Sequence, residues 1–324
     1  MSRVSLGVDI GGTKVLALAV DDAGTELDAE RIVTPHVAER PAGEATADAV
    51  ISVVRTLVAR NGWSLADVTV GVGLPGMMTH DGILAFAPNL PTASGADLGA
   101  HLRARESEIR VVCANDADCA AVAEYRWGAA RGCDDVIMVT LGTGIGGGII
   151  SGGKLVRGRS GFAGEIGHMV VDAHGPRCAC GSRGCWERYA SGAGVARLSR
   201  EAAAAGRLPV LVARHGGDPD AVRGEDVTAA AAEGLPEALA VIDEVGWWLA
   251  LGIANLAAIL DCGTFVIGGG LSQASSLLLP AAERHVKDLV EGAAARPPID
   301  IRVSQFNEKS GALGAAWLAA DHFS

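Results

Sequence analysis

Positive charge, aromatic side chains and long apolar runs are all scarce in this sequence. Its 324 residues contain 27 Lys and Arg against 38 Asp and Glu, a formal net charge of −11. That balance disfavours nucleic acid or an anionic membrane surface as a main partner. The longest charge-free apolar run, residues 245–260, is shorter than the ~20 residues of a membrane span and predicts a buried helix. No signal-peptide pattern is visible at the start, so we expect a cytoplasmic protein with no nucleic-acid or membrane partner.

Cysteine is also rare, with seven in the chain. Four of them lie scattered among apolar residues, as is typical of a buried core: Cys113, Cys119, Cys133 and Cys262. Hydrophobic residues make up 49% of the sequence, which predicts a globular protein rather than a disordered one. The length is sufficient for two ordinary domains.

The other three cysteines share one short segment with a histidine, EIGHMVVDAHGPRCACGSRGCWE at residues 165–187. His168, Cys178, Cys180 and Cys185, with glycines between them, suit a tetrahedral zinc ion. The alternative is a disulfide or ordinary buried cysteines, although Cys178 and Cys180 are too close in sequence for an easy mutual disulfide. A closed site with three cysteines and one histidine is structural, because no coordination position remains for a substrate.

Two carboxylates flank this segment, Glu165 and Glu187. A metal on one imidazole nitrogen of His168 leaves the other nitrogen to face a pocket. The segment could therefore arrange Glu165, His168 and Glu187 around one polar ligand.

A glycine turn joins two predicted strands near the start, at residues 3–9 and 14–20. Gly11 and Gly12 let backbone amides approach phosphate oxygens, and Thr13 and Lys14 add a hydroxyl and a positive charge. A P-loop would continue into a helix with a different spacing, so that motif is absent. An ordinary β-hairpin explains the glycines nearly as well.

A second glycine-rich turn, residues 142–148, follows a predicted buried strand at residues 135–141. Gly142, Gly144 and Gly147 fit the dinucleotide fingerprint, but a turn and a strand follow instead of a helix, so we reject that interpretation. Two units of strand, glycine turn and strand predict a duplicated α/β fold with a nucleotide between its halves.

A third polar cluster, Asn115-Asp116-Ala117-Asp118, lies where a predicted strand gives way to a helix. Catalytic side chains of α/β folds are found at such strand ends. The alternative is a helix N-cap, which Asp116 or Asp118 could provide, and one could cap while the other acts.

These motifs resemble those of the ROK family of sugar kinases and sugar-responsive repressors, and the resemblance covers nearly the whole chain. The residues that match the pattern of its zinc segment are Gly158, Gly161, Ala163, Gly164, Glu165, Gly167, His168, Cys178, Cys180, Gly181, Gly184, Cys185 and Glu187. The resemblance implies an actin-like α/β fold of two domains with a cleft for nucleotide and sugar. It implies a small domain of residues 1–118 plus 306–324 and a large domain of residues 119–305 that carries the zinc segment.

The same resemblance implies transfer of the γ-phosphate of ATP to the 6-hydroxyl of glucose, with Asp116 as the catalytic base. The implied sugar-binding residues are Asn89, Asn115, Glu165, His168 and Glu187. The implied ATP-binding residues are Asp9, which meets Mg²⁺, with Gly11, Gly12, Thr13, Lys14, Thr143, Gly144, Gly268, Gly269 and Gly270. The implied partners are glucose, ATP with Mg²⁺, a structural Zn²⁺ held by His168, Cys178, Cys180 and Cys185, and further copies of the chain in a dimer or tetramer.

Three alternatives stay open. The first is a kinase for another hexose or an N-acetylhexosamine, such as fructose, mannose or N-acetylmannosamine. The second is a glucokinase that uses polyphosphate. The third, a sugar-sensing repressor, is disfavoured because the glycine hairpin begins at residue 3 and leaves no room for a helix-turn-helix domain before it.

Overall fold

A computed structural model describes residues 3–35, 40–270 and 275–324. The chain packs into two compact units, which we describe separately. The first unit comprises Met1–Met138, Gly147–Glu165 and Gln305–Ser324, and the second comprises Val139–Gly146 and Ile166–Ser304. The domain boundaries near residues 118 and 305 that the family resemblance implies stay a prediction.

The described residues form twelve strands and ten α-helices. The strands are β1 (Val4–Ile10), β2 (Lys14–Val20), β3 (Glu26–Val33), β4 (Val68–Leu74), β5 (Met77–Met78), β6 (Leu84–Phe86), β7 (Val111–Asn115), β8 (Val136–Leu141), β9 (Ile145–Ser151), β10 (Lys154–Leu155), β11 (Thr264–Gly268) and β12 (Asp300–Val303). The α-helices are α1 (Glu44–Asn61), α2 (Leu98–Arg105), α3 (Asp116–Arg126), α4 (Glu187–Ala190), α5 (Gly192–Ala204), α6 (Pro209–Arg214), α7 (Gly224–Ala232), α8 (Pro236–Leu260), α9 (Ser275–Leu289) and α10 (Ser310–His322).

The sheet of the first unit has the order β3-β2-β1-β4-β7. β1 is antiparallel to β2 and parallel to β4, and β4 is parallel to β7. β1, β2 and β4 are mostly apolar and almost entirely buried, as expected of strands covered on both faces. The parallel arrangement brings the carboxyl ends of β1, β4 and β7 to one edge of the sheet, where the first glycine turn and Asp116 lie.

Helix α10 approaches this sheet so closely that two of the strands require glycine where it passes. A side-chain carbon at Gly7 of β1 would collide with the carbonyl oxygen of Ala312, and one at Gly71 of β4 with that of Ala315. Helix α10 also packs closely against α3, since a side-chain carbon at Gly314 would collide with the carbonyl oxygen of Cys119. The last helix is therefore packed into the core of the first unit.

The second five-stranded sheet has the order β10-β9-β8-β11-β12, with β10 antiparallel to β9 and β12 parallel to β11. An antiparallel hairpin followed by later strands repeats the order of the first sheet, as the predicted duplication requires. One detail differs from the sequence prediction. Gly146, Gly147 and Gly148 lie inside β9 rather than in the turn, which is confined to residues 142–144.

Helix α8 is the one described helix that is long and apolar enough to cross a membrane by length and composition alone. The share of its most apolar window that is buried within the protein is 56%. Its buried positions recur at helical spacing, for example Val241, Val245, Leu249 and Ile253. This burial is what a core helix shows, so the helix is weak evidence for a membrane span.

Candidate functional site

Asp116 begins α3 directly after the carboxyl end of β7. The N-cap of α3 is neither Asp116 nor Asp118 but Asn115, whose Oδ1 accepts hydrogen bonds from the backbone N–H of Ala117 at 2.8 Å and of Asp118 at 2.9 Å. The prediction that one of the two aspartates could cap is therefore wrong. An asparagine in an extended conformation suits the N-cap position. The carboxylates of Asp116 and Asp118 are therefore not needed as the helix cap and can take part in binding or catalysis.

Burial and neighbouring charge both disfavour the ionised form of Asp116. Removal from water raises the pKa of its carboxyl to about 8, and the negative charge of Asp9 is the next contribution in the same direction. Glu165 and Asp118 raise this pKa further, while the backbone N–H of Ala117, 2.8 Å from Oδ1, opposes the shift. A carboxyl with such a pKa is a stronger base than an ordinary aspartate once it has lost its proton.

Two more carboxylates nearby are perturbed in the same direction. Burial raises the pKa of Asp118, which is 1% exposed, to about 7, with Glu165 adding to the shift and Arg157 opposing it. Burial raises the pKa of Asp9 to about 6, and Lys14 opposes that shift. A divalent cation bound among such carboxylates would favour their ionised forms.

Asp9 and Asp116 meet at Gly73, the next-to-last residue of β4. A side-chain carbon at Gly73 would lie 3.5 Å from Oδ1 of Asp9 and 3.6 Å from Cα of Asp116. A carbon at Gly311, at the start of α10, would lie 2.7 Å from Cγ of Asp9. Glycines at these two positions leave room for the carboxylate of Asp9.

The first glycine turn is held by a residue outside the hairpin, Thr34. Its backbone N–H donates to the carbonyl of Thr13 at 3.1 Å, and its hydroxyl donates to the carbonyl of Gly11 at 2.7 Å. Lys14 at the end of the turn forms an ion pair with Glu308, which also accepts a hydrogen bond from Arg31 at 2.9 Å. These two cations lower the pKa of Glu308 to about 2.

Three predicted sugar residues belong to the first unit: Asn89, Asn115 and Glu165. Asn89 is exposed and lies near the glycine turn, since a side-chain carbon at Gly12 would be 3.7 Å from its carbonyl oxygen. Glu165 is half-buried and close enough to Asp116 and Asp118 to affect the pKa of both. Asn115 donates from Nδ2 to the carbonyl of Gly76 at 2.9 Å, which leaves one amide hydrogen for a ligand.

The second glycine turn belongs to the second unit and is closed by a hydrogen bond from Gly142 N–H to the carbonyl of Gly144 at 3.0 Å. Gly269 follows β11 with φ +88°, and a side-chain carbon there would lie 2.6 Å from the carbonyl oxygen of Leu141. Gly270 lines a pocket of about 470 Å³ between α5, α7 and the start of α9, together with Glu225, Thr228 and other residues of those helices.

The four predicted zinc ligands come together in the second unit. The ligand atoms of His168, Cys178, Cys180 and Cys185 all lie within 4.8 Å of one another. Sγ of Cys178 is 3.7 Å from Nδ1 of His168, and Sγ of Cys180 is 3.6 Å from Sγ of Cys185. Neighbouring ligand atoms around a tetrahedral zinc are about 3.5–3.8 Å apart, so the cluster fits that ion in size and in donor type.

Glu187, the first residue of α4, lies beside this cluster. Its Oε1 is 2.9 Å from Sγ of Cys178 and 3.7 Å from Nδ1 of His168. Its other oxygen faces the second glycine turn, where a side-chain carbon at Gly144 would collide with Oε2. One carboxylate thus contacts both the predicted metal cluster and the predicted phosphate-binding turn.

The sequence model of the ROK family matches residues 5–322. The chain belongs to the ROK family. It is 39% identical over 321 residues to a glucokinase of Streptomyces coelicolor, with 98% of each chain covered. It is 34% identical to an N-acetylmannosamine kinase of Shigella boydii, with 97% of this chain and 98% of that one covered.

Solved structures of ROK family members share the fold. The structure of a ROK family glucokinase from Streptomyces griseus in complex with glucose and AMPPNP has a TM-score of 0.83 and 38% identity, covering 98% of this chain and 99% of that one. A ROK hexokinase from Thermus thermophilus has a TM-score of 0.77 and 29% identity, covering 99% of each chain. The predicted actin-like α/β fold is thereby confirmed.

Sequence reasoning within the ROK family pattern missed several residues that hold the site in place. Thr34 and Glu308 support the first glycine turn, and Arg157 lies beside Asp118. None of them carries a local signal, because each reaches the site from a distant part of the sequence. Glu308 is 294 residues from the lysine it pairs with.

Proposed function

We propose that this ROK family chain is a glucokinase, which transfers the γ-phosphate of ATP to the 6-hydroxyl of glucose. The observation that carries the proposal is Asp116, a carboxylate freed from helix capping by Asn115 and placed where its pKa rises to about 8. The likeness to the Streptomyces coelicolor glucokinase supports the choice of sugar. The family motifs support the choice of donor.

The role of Asp116 is to accept the proton of the attacking hydroxyl. A carboxylate with an ordinary pKa near 4 is a weak base at neutral pH. The surroundings of Asp116 favour the protonated form, so proton transfer from the sugar to this residue is less unfavourable than to a solvated aspartate.

The two glycine turns are proposed to hold the phosphates of ATP. The residues involved are Gly11, Gly12, Thr13, Lys14, Thr143 and Gly144, with Gly268, Gly269 and Gly270 beside the adenosine. Bound Mg²⁺ would offset negative charge on the phosphates, and Asp9 would hold it. Lys14 must exchange some of its pairing with Glu308 for a phosphate oxygen, which it does readily because that ion pair is half-exposed to water.

The cluster of His168, Cys178, Cys180 and Cys185 is proposed to hold a structural zinc. The metal would fix the segment on which Glu187 and one nitrogen of His168 face the sugar. Asn89, Asn115 and Glu165 would complete the set of groups that bind its hydroxyls. In this role the metal orders the polypeptide, and the bonds to glucose come from side chains.

A panel assay tests the proposal. Purified protein is given Mg²⁺ and either ATP or polyphosphate, with glucose, mannose, fructose or N-acetylmannosamine, and release of ADP and of sugar phosphate is measured. We expect the highest kcat/KM with glucose and ATP. In Asp116→Asn, turnover should fall by ~10²-fold or more while glucose still binds, and Asp118→Asn should be much milder.

Three outcomes of the panel would contradict the proposal. The first is that no hexose is phosphorylated. The second is a preference for N-acetylmannosamine, which the 34% identical relative makes the main competing substrate. The third is a similar loss of turnover in Asp116→Asn and Asp118→Asn. Light scattering and cell fractionation would test two further expectations, that the protein is a dimer or tetramer and that it is cytoplasmic.

A further inference from the structure

The second glycine turn is fastened through its carbonyl oxygens to the start of α5. The carbonyl of Gly142 accepts a hydrogen bond from Gly192 N–H at 2.9 Å. The carbonyl of Thr143 accepts one from Ala193 N–H at 3.2 Å and one from the hydroxyl of Ser191 at 2.8 Å. Two successive carbonyls of the turn are therefore held on the same side.

This attachment determines where the amide hydrogens of the turn point. In a trans peptide the carbonyl oxygen and the N–H of the following residue point in opposite directions, and the described residues contain no cis peptide bond. With the carbonyls of Gly142 and Thr143 directed at α5, the N–H groups of Thr143 and Gly144 point away from that helix. Successive amides that point outward from a turn form an anion-binding arrangement.

Ser191 is the only side chain in this set of contacts. It is 0% exposed, and its oxygen also accepts a hydrogen bond from Gly194 N–H at 3.2 Å as the N-cap of α5. The carbonyl of Glu187 lies 2.6 Å from the same hydroxyl. A hydroxyl has one hydrogen to donate, so Thr143 and Glu187 share it.

We propose that Ser191 is a positioning residue for ATP: its hydroxyl holds the carbonyl of Thr143 so that the N–H of Gly144 faces the phosphates. The proposal rests on the use of ATP proposed above. A plain helix cap would need the oxygen of Ser191 only as an acceptor. Donation to Thr143 makes the hydroxyl part of the scaffold beneath the phosphate-binding turn.

Two substitutions of Ser191 distinguish its role as a helix cap from its role in positioning the glycine turn. Glycine is tolerated at an N-cap almost as well as serine, whereas alanine weakens the cap. Ser191→Gly and Ser191→Ala both remove the donor to Thr143. Positioning therefore predicts weaker ATP binding in both variants, while capping predicts an effect mainly in the alanine variant.

Ser199→Ala is the matched control. Ser199 lies on the same helix and is also 0% exposed, and its hydroxyl has no hydrogen-bond partner among the described residues. The control changes the same chemical group at the same depth without touching the glycine turn. It corrects for the general effect of removing a buried hydroxyl from α5.

The experiment measures the Kd of ATP with Mg²⁺ by calorimetry without sugar, the KM values of ATP and glucose, the zinc content and the melting temperature. One lost hydrogen bond corresponds to a Kd of ATP about five- to tenfold higher in Ser191→Gly and Ser191→Ala. The KM of glucose and the zinc content should stay at the wild-type level, and Ser199→Ala should bind ATP normally.

Wild-type ATP affinity in Ser191→Gly would overturn this inference and leave the proposed function intact. Equal losses of ATP affinity in Ser191→Gly and Ser199→Ala would overturn it as well. Failure of the wild-type protein to bind ATP with Mg²⁺ would instead contradict the proposed function, and the inference that rests on it.

Discussion

Replacing Asp116 by asparagine should make the protein more stable while it removes most of its activity. In the unfolded chain this carboxyl ionises near 3.8, and in the folded protein it keeps its proton up to about 8. Between these values the folded state binds more protons than the unfolded state, so the free energy of unfolding falls as the pH rises. Asparagine does not ionise, so this side chain does not lower the free energy of unfolding of the variant as the pH rises.

The size of the effect follows from proton linkage. The wild type loses up to ~1.4 kcal/mol of unfolding free energy for each pH unit inside that window. From pH 5.5 to pH 7.5 the advantage of Asp116→Asn should therefore grow by up to ~3 kcal/mol. The side chain is half-buried rather than fully buried, so the measured slope should lie somewhat below this limit.

The assay is denaturant unfolding of both proteins at several pH values, without nucleotide or Mg²⁺. Asp81→Asn, which removes an exposed carboxylate from the same unit, corrects for the change in net charge. A stability difference that stays constant with pH would refute the account of Asp116 as a carboxyl that resists ionisation. So would a wild type more stable than the variant at pH 7.5.

Three further predictions concern the two units separately. Metal analysis should find about one zinc per chain, and Cys180→Ser should lose it together with stability and activity; a metal-free protein with normal turnover would contradict the role of the cluster. Glu187→Gln should raise the Kd of glucose on the order of tenfold to a hundredfold with zinc retained, whereas depleted zinc with normal glucose affinity would make this residue a support of the metal. Glu124 is fully buried and accepts hydrogen bonds from three backbone N–H groups. The substitution Glu124→Gln should therefore lower the free energy of unfolding by ~1–3 kcal/mol, and unchanged thermal unfolding would contradict this.

The sequence predicted most strands and helices because their apolar residues recur with clear periods. β2 (Lys14–Val20) has its predicted bounds, and β1 and β8 lie within one residue of the predicted ranges 3–9 and 135–141. The buried helix predicted at residues 245–260 is the second half of α8. Strand β3 was not predicted. It reads ELDAERIV, lies at the edge of the sheet and has no fully buried residue, so it shows no apolar alternation to detect.

The candidate site was predictable where its chemistry is local in sequence and not where it depends on packing. The four residues around the predicted zinc lie within 18 positions of one another, and the structure brings their ligand atoms together. The cap of α3 was left open between Asp116 and Asp118, and the structure uses neither, because Asn115 is an equally good cap and only the backbone decides among the three. The raised pKa of Asp116 depends first on burial and then on the charge of Asp9, which is distant in the chain.

The close contact of α10 with β1 and β4 has a consequence for the order in which the protein is made. The whole second unit is translated before residues 310–322, yet these residues fill the space that Gly7 and Gly71 leave above the first sheet. During synthesis the first unit therefore cannot complete its core until residues 310–322 are made, and part of its apolar surface stays exposed. The second unit already has its whole sequence at that stage. We expect a released chain truncated before residue 310 to protect the second unit from protease and to leave the first unit susceptible.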